Sequence, residues 1–154
     1  MGFFVSQLVR KASDIYFYAN KSKITAQKFN QPAGFTVTYH AGAMLTKPNS
    51  IYSVRAAVKN NADIVEFDVS FRPDGTPVII HNSSPTEEQG ELLKDALEVV
   101  AQHPSCRINL DLKSLINIGE VEALVKKYGL FDRVFYTGVF EDWVETVRTN
   151  SDIV

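Results

Sequence analysis

Apolar and polar positions along the chain follow two rhythms that take turns. Phe35–His40 is rich in β-branched and aromatic side chains and predicts a strand. Asn49-Ser50 then offers an N-cap for a helix over Ile51–Asn60, where Ile51, Val54 and Val58 form an apolar stripe. Ile64–Phe71 and Pro77–His81 predict two more strands, and Glu91–Gln102 a helix with Leu92, Leu93, Ala96, Leu97, Val99 and Val100 inward. The series continues with a strand at Arg107–Leu112 and a helix at Val121–Tyr128, stopped by Gly129. It ends with a strand at Val134–Thr137, a helix at Glu141–Arg148 and the start of a strand at Asp152–Val154. Strands alternating with helices predict an α/β fold built on a parallel sheet or barrel.

Residues 1–34 read differently and are expected to form an N-terminal extension, helical in part, ahead of a domain over 35–154. Phe3, Phe4, Val5, Leu8 and Val9 cluster first, and Ile15–Tyr18 follow among Arg10, Lys11, Lys21 and Lys23. Such a segment suits a helix packed on the domain or, on a competing reading, peripheral membrane contact through residues 1–30. Met1-Gly2 with Ser6 also fits the loose myristoylation pattern. The chain has 154 residues, whereas a complete β/α barrel needs roughly 250. A barrel stopped at Val154 would leave strand edges unpaired. The expectation is an incomplete barrel, completed by a longer chain or by a partner in an oligomer.

Composition narrows the function classes. Hydrophobic residues make up 45% and charged residues 22%, as in an ordinary globular domain. With 16 basic and 18 acidic side chains the formal charge is −2, which gives no electrostatic basis for nucleic-acid binding. A small anionic ligand fits, since one metal ion or one lysine can neutralise it. The single cysteine, Cys106, excludes an internal disulfide and a cysteine-based zinc site, and reads as a buried core thiol. No apolar run reaches membrane-spanning length, and no signal-peptide pattern opens the chain, so the expected compartment is the cytoplasm, with membrane association through the extension as the competing reading.

The candidate chemistry begins with Glu66 and Asp68. At i and i+2 on a strand they share a face, and their apolar neighbours Ile64, Val65, Phe67 and Val69 predict that they are buried. Paired carboxylates in a dry site call for a cation, and oxygen ligands favour Mg2+ or Ca2+; the competing reading is a solvated face. A turn centred on Asp74-Gly75 would pair Phe71 with Val78 and Asp68 with His81, bringing an imidazole suited to acid–base work beside the carboxylates. His40 ends the first strand ahead of a Gly-containing loop; in a barrel it would reach the mouth formed by strand carboxyl ends. Asp111 and Lys113 repeat the i, i+2 spacing, offering a third metal ligand and a charge partner for phosphate, or a local ion pair. His103, in a loop before Pro104, reads as a surface residue.

Thr38-Tyr39-His40-Ala41-Gly42, Pro48-Asn49-Ser50, Ala62–Val69 and Asp74–His81 together resemble the glycerophosphodiester phosphodiesterase family, in order and in spacing. The match continues loosely through Asp111-Leu112-Lys113, where the related sphingomyelinase-D-like enzymes also place a metal ligand and a lysine. The resemblance implies a TIM-type β/α barrel, here about its first five to six strands. It also implies a divalent metal on Glu66, Asp68 and Asp111, with His40 and His81 as the acid–base pair and Lys113 on phosphate. The implied reaction is phosphoric diester hydrolysis of a small glycerophosphodiester to sn-glycerol 3-phosphate and an alcohol. Two positions depart from the family pattern: Ala41 stands where it has arginine, and Pro48-Asn49-Ser50 lacks its glutamate. Two further readings therefore stay open: a lysophospholipase-D or sphingomyelinase-D-like activity on lipid phosphodiesters, and a non-catalytic chain that binds phosphodiesters or a partner.

Overall fold

The computed structural model describes residues 34–42 and 45–153. Residues 1–33 lie outside the described residues, and the expectations for the N-terminal extension fall there. Contacts divide the chain into Met1–Phe35 and a second unit, Thr36–Val154, which carries every element named below.

In chain order the elements are β1 (Thr38–Tyr39), α1 (Ile51–Lys59), β2 (Ile64–Phe71), β3 (Pro77–Ile79), β4 (Glu91–Leu92), α2 (Leu93–Ala101), β5 (Arg107–Leu112), α3 (Ile118–Lys127), β6 (Val134–Thr137) and α4 (Val144–Asn150). Short 3-10 turns at Phe131–Arg133 and Glu141–Trp143 lead into β6 and α4. One sheet runs β4-β3-β2-β5-β6, with β1 also on β2. The β1, β2, β5 and β6 pairings are parallel, while β3 and β4 form an antiparallel excursion. This is part of a TIM-type β/α barrel.

Local sequence explains the main elements. Ser50 caps α1 through a capping box: Ser53 N–H donates to Ser50 Oγ at 3.1 Å, and Ser50 N–H to Ser53 Oγ at 3.4 Å. All of β2 is buried, so it is the central strand of the unit. Val65, Phe67, Val69 and Phe71 point from one face of β2, and Ile108, Leu110 and Leu112 from the matching face of β5. They pack with Val54 and Val58 of α1, Leu93, Leu97 and Val100 of α2, and Val121 and Val125 of α3. Each such fully buried apolar side chain contributes roughly 1.5–3 kcal/mol. Cys106 lies in this core as expected.

Several predicted boundaries move. Glu91-Leu92 is a strand rather than the start of α2, because it completes a ladder with Val78 and Ile79. α3 begins earlier than Val121, at Ile118. Asp152-Ile153 forms no strand: Asp152 N–H donates to Glu122 Oε2 at 2.5 Å and Ile153 N–H to Ser151 Oγ at 3.2 Å, so these groups bond to side chains rather than to a neighbouring strand. His103 is half-buried, its carbonyl accepting from Arg133 Nη1 at 2.8 Å.

The hairpin register also differs by one residue. Phe71 pairs with Pro77, Ser70 with Val78 and Val69 with Ile79, so Asp68 meets Ile80, whose N–H donates to Asp68 O at 3.0 Å. The reason is the turn. Arg72 N–H donates to Thr76 O, which leaves Pro73-Asp74-Gly75 as a three-residue loop with Gly75 at φ +84. The predicted turn centred between Asp74 and Gly75, and the extra half-step removes His81 from the place opposite Asp68.

Candidate active site

Parallel pairing of β2 with β5 sets Glu66 opposite Asn109 and Asp68 opposite Asp111. Opposed residues share a face, so the alternation that sends the apolar side chains toward the helices collects these polar ones on the other side. Glu66 and Asp68 are 5% and 4% exposed, and an oxygen from each lies within 4.8 Å of one from Asp111. Lys113 N–H donates to Val69 O, which extends the β5 ladder by one step. The Lys113 ammonium is 3.1 Å from Asp68 Oδ1 and 2.8 Å from Asp111 Oδ2.

The loop between β1 and α1 supplies the remaining contacts. Ala41 N–H donates to Glu66 Oε2 at 2.9 Å, and Asn49 Nδ2 donates to Asp68 Oδ2 at 2.6 Å. The exposed His40 imidazole has Nε2 at 3.7 Å from Glu66 Oε2. Because the Ala41 contact comes from the backbone, it does not depend on the side chain at that position.

Burial pushes the Glu66 carboxyl above the usual carboxylate range, with Asp68 and Asp111 adding to it, while Ala41 N–H and His40 pull the other way. Burial also works against the Lys113 ammonium, but hydrogen bonds to Asp111 and Asp68 outweigh it and raise its pKa. Glu66 Oε1 and Asp111 Oδ1 are buried with no hydrogen-bond partner among the described residues. An orphaned buried carboxylate oxygen is unfavourable unless a cation meets it. An all-oxygen donor set of three carboxylates suits a hard divalent metal ion, so the residues present fit such a group.

Of the residues named from sequence, the structure brings together Glu66, Asp68, Asp111 and Lys113, with His40 against Glu66. His81 is not hydrogen-bonded into this set. That side chain is exposed, makes no hydrogen bond or ion pair among the described residues, and lines a cleft with Lys47, Asn49 and Glu88. Sequence reasoning saw Asn49 as a capping residue and as part of the Pro48-Asn49-Ser50 segment, with no role in the site, and it missed Thr137 and Gly138. Thr137 Oγ1 donates to Asn109 Oδ1 at 2.8 Å on the polar face. Gly138, at φ +69, is pressed so close that a Cβ there would stand 2.0 Å from Asp111 Oδ1. The signal for Thr137-Gly138 was its place at the carboxyl end of a strand, where barrel site residues gather.

The fold and the acidic cluster at its strand ends thus define part of a β/α barrel with a candidate metal centre. Residues 40–87 match the Glycerophosphoryl diester phosphodiesterase family, bearing out the resemblance seen in the sequence over the segment that holds His40, Glu66, Asp68 and His81. A search among curated proteins finds no match. Among solved structures, a glycerophosphodiester phosphodiesterase from Agrobacterium tumefaciens superposes with a TM-score of 0.63 at 17% identity, covering 74% of this chain and 62% of that one. One from Parabacteroides distasonis has a TM-score of 0.63 at 22% identity, covering 77% of this chain and 62% of its own. An Oleispira antarctica phosphodiesterase, solved with sn-glycerol-3-phosphate, matches with a TM-score of 0.54 at 18% identity, covering 75% and 70%. The chain therefore spans about 62% of the length of the first two. Among the described residues no helix is long and apolar enough to cross a membrane.

Proposed function

We propose that the chain carries the metal-binding half of a phosphoric diester hydrolase that cleaves glycerophosphodiesters to sn-glycerol 3-phosphate and an alcohol. The observation that carries this reading is the set of carboxylates of Glu66, Asp68 and Asp111, two of whose oxygens are buried beside Lys113 without a partner among the described residues. The family match over residues 40–87 supports the substrate class. Glu66, Asp68 and Asp111 would hold one divalent ion, Mg2+ or Ca2+. When bound, that ion supplies positive charge to polarise a phosphoryl oxygen.

The chain's own groups do the rest. Lys113, anchored by Asp68 and Asp111, presents a second positive charge to the phosphate. His40 is exposed at the strand end with Nε2 toward Glu66, suited to take or give a proton there. His81 is the second proton carrier, opening on the cleft beside Asn49. Water adds to phosphorus, the bond to the alcohol oxygen breaks, and one imidazole accepts the proton from water while the other protonates the departing alkoxide. In this reading the metal-free cluster is inert.

The competing substrate raised by the sequence, a lipid phosphodiester, is not favoured by the family match over residues 40–87.

The test is release of glycerol 3-phosphate from glycerophosphocholine with Mg2+ or Ca2+, its loss on chelation, and a parallel assay on lysophosphatidylcholine. His40→Gln and His81→Gln should each lower the rate by roughly 10²–10⁴-fold without changing metal affinity. Metal-independent turnover, or normal rates in both variants, contradicts the assignment.

A further inference from the structure

Asn49 sits in the turn just before α1, buried, with a left-handed backbone at φ +51. It grips Asp68 at both ends of the residue. Its Oδ1 accepts from Asp68 N–H at 2.9 Å, and its Nδ2 donates to Asp68 Oδ2 at 2.6 Å. The amide orientation follows from chemistry: the group facing a backbone N–H must be the carbonyl, which turns the NH2 toward the carboxylate. With its oxygen used in this way, Asn49 is no metal ligand in the geometry observed.

Glu66 receives the same treatment from the other end of the same loop. Ala41 N–H occupies Glu66 Oε2, and Oε1 is left without a partner among the described residues. Asn49 occupies Asp68 Oδ2 and leaves Oδ1 facing Lys113. The far end of the loop is itself fixed, since Ile51 N–H donates to Glu91 Oε2 at 2.6 Å and Ser50 is locked in its capping box. One loop thus ties down one oxygen of each β2 carboxylate and leaves the second to the rest of the cluster, Asp68 Oδ1 against Lys113.

From this geometry we infer that Asn49 is a positioning residue: by holding Asp68 Oδ2 it presents Oδ1 to the cluster and so sets the affinity of the site for a divalent cation. The inference rests on the metal-centre reading proposed above. It carries the β1–α1 loop beyond its role as the support of His40 and makes it part of the metal centre.

The experiment is calorimetric titration of the full chain with Mg2+ and, separately, Ca2+, alongside thermal melts with and without each ion. Asn49→Gly keeps the left-handed backbone and removes both hydrogen bonds. Asn49→Asp keeps the shape and the acceptor but sets an oxygen against Asp68 Oδ2. Losing an outer-shell partner typically weakens metal binding about 10–100-fold, and that is the expected rise in Kd for Asn49→Gly, with at least as large a rise for Asn49→Asp. The gain in melting temperature on adding the ion shrinks accordingly. If Asn49→Gly does not fold, Asn49→Asp carries the measurement. A wild-type chain that binds an ion, with Kd unchanged in the variants and melting temperature lowered equally with and without it, overturns this inference alone. A wild-type chain that binds neither ion overturns the metal-centre reading and this inference with it.

Discussion

Asp68 and Asp111 stand directly opposite each other on β2 and β5, and the Lys113 ammonium bridges them at 3.1 and 2.8 Å. Without a cation these carboxylates, with Glu66 close by, would repel one another across a largely buried face. Lys113→Met removes the bridging charge. The metal-free variant should lose about 2 kcal/mol, the scale of a hydrogen bond to a charged group, and saturating Mg2+ should restore most of it. Urea unfolding with and without the ion reads both numbers. An equal loss in the two conditions would mean that Lys113 and the metal do not share these carboxylates.

Glu66→Gln should separate stability from function. A carboxyl whose folded pKa is raised contributes stability that is present below its usual value of 4.5 and is lost as pH rises through the folded pKa. The variant removes this desolvated charge while its amide oxygen can still accept from Ala41 N–H. Near neutral pH the metal-free variant should therefore melt higher than the parent, although metal uptake falls by more than the roughly 100-fold seen for outer-shell partners. A lower melting temperature with metal uptake intact would contradict both halves.

Gly138→Ala tests the support behind Asp111. At φ +69 the added Cβ would meet Asp111 Oδ1 at 2.0 Å and Leu112 O at 2.8 Å. The backbone strain costs on the order of 1–3 kcal/mol, and the Asp111 side chain must also turn away. Both a lower urea midpoint and weaker metal binding are expected. Unchanged values in both measurements would show that neither residue is held as the structure has it.

Glu122 provides a pH-dependent tie outside the metal cluster. Its carboxylate pairs with Lys126, accepts from Ser151 Oγ at 2.6 Å and from Asp152 N–H, and these contacts hold it at about 2, against the usual 4.5. A depressed pKa contributes stability that is present above the unfolded value and is lost as pH falls from about 4.5 to about 2. Acid titration of the melting temperature should therefore drop less steeply over this window in Glu122→Gln, which starts lower at pH 7. Parallel curves for variant and parent would remove Glu122 from the acid transition.

The sequence by itself determined the α/β alternation, and it placed β2, β5 and β6 at the residues where the structure has them, because apolar periodicity and flanking turns act locally. Ser50 as a cap and Glu66 with Asp68 on one face follow from the same short-range geometry. What only the tertiary structure decided is which of these local pieces meet. The pairing of β2 with β5 makes Asp111 and Lys113 neighbours of Asp68 across a chain separation that no local pattern encodes. A three-residue turn in place of the predicted one moved His81 off the position opposite Asp68. Asn49 read locally as a helix signal and became a second residue, with Lys113, that holds the Asp68 carboxylate, since its side chain reaches a strand folded against it from further along the chain.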